Sequence, residues 1–398
     1  MALFCLDILM PKQMKTLSQK LLKRRITQLQ HIHIGTGALG LGLPVWLCST
    51  LQFSVILANR SEQSRSYNRN LLIKNQKQYR VVPQGQHKQG DIVSISDLIF
   101  YDQEQDKFFD AIAHPNTYII TTALKEAVLK PSFVSLMCAA LSHRLKRHIK
   151  KPLYIICCEN IICSRQFRDA VQLQIGFPLP SYIQFLPCVV DRVCATPSVT
   201  LKPDGYSEVL VEVERYARWY IERPKLTSSK ELQKNLTQSP VAKTAIQFTE
   251  NIEWEKTRKL ILINGPHLLI AINARAANYS RLDSYLKHDA DAAYILEDLL
   301  QEASDALQCI EFERNATLTL SISTSDISQR FRENPDLVNR VLARFQNPKQ
   351  LEAFLKDLYK KVSQWALTYQ KEFNEAPNQT SRTLFLLTSL INYDRYNG

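Results

Sequence analysis

IHIGTGALGLG, residues 32–42, is a short apolar strand that runs straight into a cluster of glycines. The chain holds only ten glycines, and four of them are Gly35, Gly37, Gly40 and Gly42. Concentrating a scarce residue needs a physical cause. The spacing of Gly35, Gly37 and Gly40 is that of a dinucleotide-binding turn. The first glycine permits a tight turn, the second lets a pyrophosphate approach the backbone, and the third lets a helix pack on the strand. A helix that opens at Ala38 and Leu39, and is apolar from Leu41 to Leu51, offers N–H donors and a partial positive charge to the phosphates. Pro44 is tolerable in its first turn.

The pattern continues outward from the turn. Phe53–Asn59 reads as the second strand. An acidic residue normally closes it and binds the adenosine ribose. Here Asn59 and Arg60 stand in that place, a pair that would not repel a 2′-phosphate and could bind one, which leans the cofactor modestly toward NADP over NAD. Residues 62–116 are polar and mixed, with 81–91 a loop. Tyr118–Thr122 is a buried strand whose closing Thr121 and Thr122 fall where cofactor-facing loops belong. Leu153–Cys158 is the next strand, followed by Glu159 and Asn160. Ligands bind at such strand ends, which makes Asn160 a site candidate. Another apolar run, residues 183–190, ends in Asp191 and Arg192. Ser207–Val213 alternates as a strand, with Glu212 and Glu214 facing outward. From Pro240 the spacing turns helical, over residues 242–252, 258–277, 290–306, 337–345, 351–371 and 384–391. The expected architecture is α/β: a basic leader over 1–30, a Rossmann-like NAD(P)-binding domain over 31–222, and a mostly α-helical substrate domain over 223–398.

Bulk properties narrow the partners. The 398 residues carry 50 basic and 38 acidic side chains, a net charge of +12. That balance suits an anionic partner. The charge is dispersed and no zinc finger or RNA-reading aromatic motif is present, so a nucleotide cofactor or phosphorylated metabolite is expected and nucleic acid is not. Nine cysteines, several in apolar runs, argue for reduced thiols in the cytoplasm. Cys157, Cys158 and Cys163 lack the paired spacing of a zinc site, and His31 and His33 share one side of a strand without further ligands, so no metal is expected. No apolar run reaches the ~20 residues of a membrane span. A monomer or weak oligomer is expected.

A second motif carries the chemistry. KLILINGPH, residues 259–267, sets a lysine, an asparagine and a histidine among apolar residues. On a regular helix Asn264 lies about 140° and His267 about 80° around from Lys259, so one pocket could receive all three. A buried helix whose polar groups are merely satisfied would show the same pattern. Pro266 resists a helix interior by ~3 kcal/mol, so the helix is expected to restart there with Asn264 or Gly265 as its N-cap.

Taken in order, IHIGTGALGLG, IITTA at 119–123, CCEN at 157–160, VDRV at 190–193 and KLILINGPH resemble the polyol-specific long-chain dehydrogenases, the mannitol dehydrogenase family. RFRENPDLVNRV at 330–341 is a weaker match. The resemblance implies metal-free hydride transfer between NAD(P) and a polyol or polyol phosphate, foremost mannitol 1-phosphate and fructose 6-phosphate. By the same resemblance Lys259 is the general acid/base, Asn264 and Asn160 stabilise the developing alkoxide, and His267 orients substrate. Asp191 then lines the substrate pocket, and Arg340 and Lys349 are loose counterparts of residues that hold the substrate's far end. An unphosphorylated polyol or sugar acid as substrate, and a retired nucleotide-binding homologue, are the alternatives.

Overall fold

The computed structural model describes residues 28–64, 77–84, 90–159, 163–201, 207–224, 229–313, 324–332, 338 and 341. The chain divides into two compact units. One takes the chain to Val213 together with Ala217–Ile252, and the other takes Glu214–Tyr216 and the chain from Glu253.

In the first unit, β1 (Gln30–Ile34) leads into a continuous helix, α1. It consists of Ala38–Gly40, a π turn at Leu41–Val45 and Trp46–Thr50. Then come β2 (Ser54–Asn59), β3 (Gln78–Pro83), β4 (Asp91–Ser94), β5 (Asp97–Phe100), α2 (Gln105–Ile112), β6 (Thr117–Thr122), α3 (Pro131–Lys146), β7 (Leu153–Cys157), α4 (Ser164–Ile175) and β8 (Ile183–Leu186). Six of these strands form one parallel sheet in the order β5-β2-β1-β6-β7-β8. Parallel neighbours need crossover helices, which cover both faces and leave the strands almost wholly apolar. Every residue of β1, β6 and β7 is buried accordingly. Ile32, Ile34, Ile120 and Ile155 pack with Phe108, Met137 and Phe167 of α2, α3 and α4. Leu43 and Leu47 of α1 belong to a second core with Leu57, Ile119 and Ile156. The sheet reverses its direction of growth between β1 and β6, which are paired from Gln30 to Ile34. Ligands of open α/β sheets bind beyond the strand ends at such a reversal.

The first unit is completed by β9 (Cys188–Asp191), β10 (Ser198–Leu201), β11 (Ser207–Val213), β12 (Arg218–Glu222), α5 (Ser229–Leu236), α6 (Pro240–Ala245) and β13 (Ile246–Thr249). They extend it by two small sheets, β10-β11-β3-β4 and β13-β12-β9. Three expectations are corrected here. Residues 81–83 are not loop but the end of β3, with Val81 and Val82 buried. The stretch 242–252 is helical only to Ala245. Ile246–Thr249 then pairs in parallel with β12, and this long-range pairing overrides the local helical spacing. The same pairing holds residues 223–252 in the first unit, so the division falls at Ile252/Glu253 rather than at 222/223.

The second unit is helical: α7 (Ile252–Lys259, a π turn at Leu260–Asn264, and Gly265–Ala276), α8 (Leu282–His288), α9 (Ala292–Glu313) and α10 (Thr324–Arg332). Leu262, Leu268, Ile270, Leu286, Leu296 and Ile327 form its core. The expected helices beyond 337 lie outside the described residues, apart from the buried Val338 and Val341. Glu214 is a further correction. It is not outward but buried, taking two hydrogen bonds from Arg330 at 2.9 and 3.1 Å. The guanidinium stacks over Tyr216 at 3.7 Å. A charge leaves water only with a partner of this kind. Among the described residues no helix is long and apolar enough to cross a membrane.

Candidate active site

Each glycine of the turn has a different reason to be there. Gly35 has φ of +106°, and a Cβ on it would lie 2.9 Å from the Ala123 carbonyl oxygen. A Cβ on Gly40 would overlap His33 Nε2, so the third glycine lets α1 lie against an imidazole of β1. Gly37 is the informative one. Its φ is −74°, open to any residue, and a Cβ there would meet nothing within 4 Å. Nothing inside the protein demands glycine at 37. An open position at the mouth of α1, flanked by the half-buried Ala38 and Leu39, fits the pyrophosphate of a dinucleotide.

Around this turn the polar side chains are tied to one another. Asn59 is buried, donating from Nδ2 to Thr36 Oγ1 at 2.7 Å and accepting from the Arg60 N–H at 2.8 Å. Arg60 is exposed and pairs with Asp102 at 3.0 Å. Thr121 and Thr122 close β6 as expected, but both hydroxyls are engaged inside the fold. Thr121 Oγ1 is shared between His31 Nε2 and His33 Nδ1, each at 2.6 Å. One hydroxyl donates to one ring and accepts from the other, and His31 Nδ1 and His33 Nε2 are left without hydrogen-bond partners. Burial holds both imidazoles neutral, pushing His33 down to about 3 and His31 well below its ordinary value. Thr122 donates to Glu159 Oε1 at 2.8 Å.

Glu159 is a residue the sequence reading passed over. Its Oε1 also accepts from the Leu124 N–H at 3.0 Å, and its Oε2 accepts from the Cys163 thiol at 3.8 Å. The carboxyl thus pins the loop after β6, whose Ala123 N–H donates to Ile34 O just before Gly35. Burial pushes Glu159 up to about 7, against the pull of the Leu124 and Thr122 hydrogen bonds. Ligand atoms of Cys157, Glu159 and Cys163 lie within 4.8 Å of one another, a cluster that can hold a cation. Here the donors are bonded to each other, and the Cys157 thiol is pushed up, first by its bond to Cys163 and then by burial. The signal available in sequence was a carboxylate closing the apolar run LYIICC. Asn160 itself lies outside the described residues, as do Arg340 and Lys349.

Asp191 is buried at the end of β9, opposite Arg218 in the ladder with β12. Arg192 donates to Gly42 O at 2.7 Å and stacks over Trp46 at 4.2 Å, clamping β9 to the glycine helix.

The lysine motif lies on α7. The helix does not restart at the proline: Asn264 has helical φ and ψ of −69° and −39° and makes no side-chain capping bond. Instead the turn widens, and the Gly265 N–H reaches back five residues to Leu260 O. A π turn inserts one residue into a helical turn, setting everything beyond it back by about 100°. Asn264 then falls about 40° from Lys259 rather than 140°, and His267 about 20° on the other side. Three polar groups share a stripe roughly 60° wide, less than half the arc of a regular helix. Lys259 and Asn264 are half-buried. His267 is buried, its ring edge-on to Phe331 at 5.5 Å. Among the described residues the Asn264 amide makes no hydrogen bond.

A six-stranded parallel sheet in this order, with a glycine turn at the reversal, is the architecture of dinucleotide-dependent oxidoreductases. Residues 29–234 match the family profile described as the mannitol dehydrogenase Rossmann domain, and the chain belongs to the mannitol dehydrogenase family of oxidoreductases. Among curated proteins it is similar to mannitol-1-phosphate 5-dehydrogenase of Buchnera aphidicola, 24% identical over 344 residues, covering 83% of this chain and 75% of the relative. It is equally similar to the enzyme of that name from Geobacillus stearothermophilus, 24% identical over 322 residues, 80% of this chain and 73% of the relative. Among solved structures, Pseudomonas fluorescens mannitol 2-dehydrogenase, determined with NAD and D-mannitol, shares the fold. The TM-score is 0.58 at 16% identity, covering 86% of this chain and 80% of that one.

Proposed function

We propose that this protein is an NAD(P)-dependent dehydrogenase that interconverts mannitol 1-phosphate and fructose 6-phosphate in the cytoplasm, without a metal, using Lys259 as general acid/base. The observation that supports the reading is the π turn of α7; by helical-wheel geometry one inserted residue brings Lys259, Asn264 and His267 within an arc of roughly 60°. The relatives' names and the basic balance of the chain support a phosphorylated polyol as substrate.

The bound cofactor supplies the hydride acceptor; the protein's side chains manage the proton. In the oxidative direction the lysine amine takes the proton of the reacting hydroxyl as the C–H hydride departs. The carbinol becomes a carbonyl and the amine becomes an ammonium. A lysine ordinarily titrates near about 10.4, so this role requires neighbours or desolvation to lower it. The Asn264 amide donates to the oxygen while negative charge peaks on it. His267, held edge-on by Phe331, orients the same oxygen. As cofactor we take NAD or NADP. The lean toward NADP drawn from Asn59 and Arg60 is opposed by Asp102, which already engages that guanidinium.

The test is reduction of fructose 6-phosphate, fructose and uronates, followed by loss of NADH or NADPH absorbance, with wild type and Lys259→Ala. The reading expects turnover with the phosphorylated ketose and its loss, by at least about a hundredfold, in Lys259→Ala. Turnover with fructose but not its phosphate would assign a different substrate. Undiminished turnover in Lys259→Ala would remove the lysine from the mechanism. Turnover that survives a chelator, with no zinc in the purified protein, is expected of a metal-free reaction.

A further inference from the structure

The adenosine end of a dinucleotide in this fold meets the end of β2. Asn59 stands there buried, donating to Thr36 and accepting from the Arg60 N–H, so it fastens the glycine turn to the strand. The next group outward is the Arg60 guanidinium, bonded through Nε to Asp102 Oδ2 at 3.0 Å. Asp102 arrives from the neighbouring strand. Beyond the last β2–β5 pair, Asn59 with Phe100, the Tyr101 N–H donates to Asn59 O at 3.0 Å and the Asp102 N–H to Arg60 O at 3.1 Å. The backbone ladder therefore sets Asp102 and Arg60 side by side. Tyr101 lies within electrostatic reach of both, its hydroxyl pushed up to about 12 by burial first and Asp102 next, with Arg60 pulling it down.

We propose that Asp102 selects the dinucleotide: its carboxylate holds the Arg60 guanidinium and opposes a 2′-phosphate, so the native chain prefers NAD. The inference rests on the reading that the glycine turn binds a dinucleotide. A phosphate monoester carries about −1.5 to −2 charges and would compete with the carboxylate for the same guanidinium while being repelled by it. The neutral ribose diol of NAD meets no such opposition, and a carboxylate accepts from its hydroxyls. Asp102 thus supplies, from the end of β5, the acidic group that usually closes β2 itself. The two side chains are 76% and 45% exposed, so opening the pair leaves the fold intact.

The experiment titrates NADH and NADPH, without substrate, into full-length wild type, Asp102→Asn and the Arg60→Ala/Asp102→Asn double variant, read by quenching of tryptophan fluorescence. Wild type should bind NADH more tightly than NADPH. Asp102→Asn should shift the ratio of the two dissociation constants about tenfold toward NADPH, and adding Arg60→Ala should erase that shift. A wild type that does not prefer NADH, or an unchanged ratio in Asp102→Asn while NADH still binds, overturns the proposal. A wild type that binds neither nucleotide overturns the dinucleotide reading beneath it, an outcome distinct from the other two.

Discussion

Acidification sets two kinds of buried group against each other around β6. Burial holds His33 at about 3 in the folded chain, against 6.5 ordinarily, and holds His31 well below its usual value. As pH falls below about 6.5, the unfolded chain binds protons that the folded chain refuses. The stability these two residues lend is therefore full above 6.5 and lost on acidification, by about 2 kcal/mol for His33 between about pH 7.5 and about pH 5, with His31 acting in the same direction. Glu159 has the opposite sign. Burial raises it from 4.5 to about 7. Its contribution is full below 4.5 and lost as pH rises through 7, about 2 kcal/mol over the same interval. Glu159→Gln, lacking the offset, should accordingly lose about 2 kcal/mol more than wild type between those two pH values. His114, lowered by burial and by Lys151 and Arg144, acts in the same direction in both proteins and cancels in the difference. The assay is urea unfolding followed by tryptophan fluorescence across this range. Parallel profiles, or a shallower one for Glu159→Gln, would refute the reasoning.

Three further outcomes are expected. Gly40→Ala drives a methyl into His33 Nε2 and should cost about 2–4 kcal/mol of stability, with His33→Ala restoring most of it in the double variant by thermal melting. Gly37→Val meets open space, so it should leave the melting temperature within a degree or so of wild type, yet weaken NADH binding by about tenfold or more. Arg330→Ala strands the buried Glu214 carboxylate and should destabilise the helical unit by about 3–5 kcal/mol in urea unfolding, more than the Arg330→Ala/Glu214→Gln pair.

What was legible in the sequence was local. Gly35, Gly37 and Gly40 declare a turn by spacing alone, and the strand–helix alternation around them gave the parallel sheet. Thr121 and Thr122 were placed correctly on β6, but successive side chains on a strand face opposite ways, and both faces are packed. That sends Thr121 to the histidines and Thr122 to Glu159. Asp102 escaped notice because it lies 42 residues from Arg60 and is joined to it only by the β2–β5 ladder. Ile246–Thr249 looked helical because its partner strand is remote in sequence. The lysine stripe was recognisable as a string of residues, but its true angular width was not, since the widened turn is a property of backbone hydrogen bonding.

That widened turn also explains a residue that seemed out of place. A helix carrying a surplus residue can relax by expelling the bulge along its length and closing back to regular pitch. Pro266 blocks this route: in a regular α-helix interior its ring would collide with an upstream carbonyl at a cost of ~3 kcal/mol. It acts like the pawl of a ratchet, letting the bulge form ahead of it and penalising its escape. Pro44, inside the π turn of α1, is placed to do the same for the glycine helix. The prolines thus lock helical phase, so that an angular alignment set by one extra residue persists.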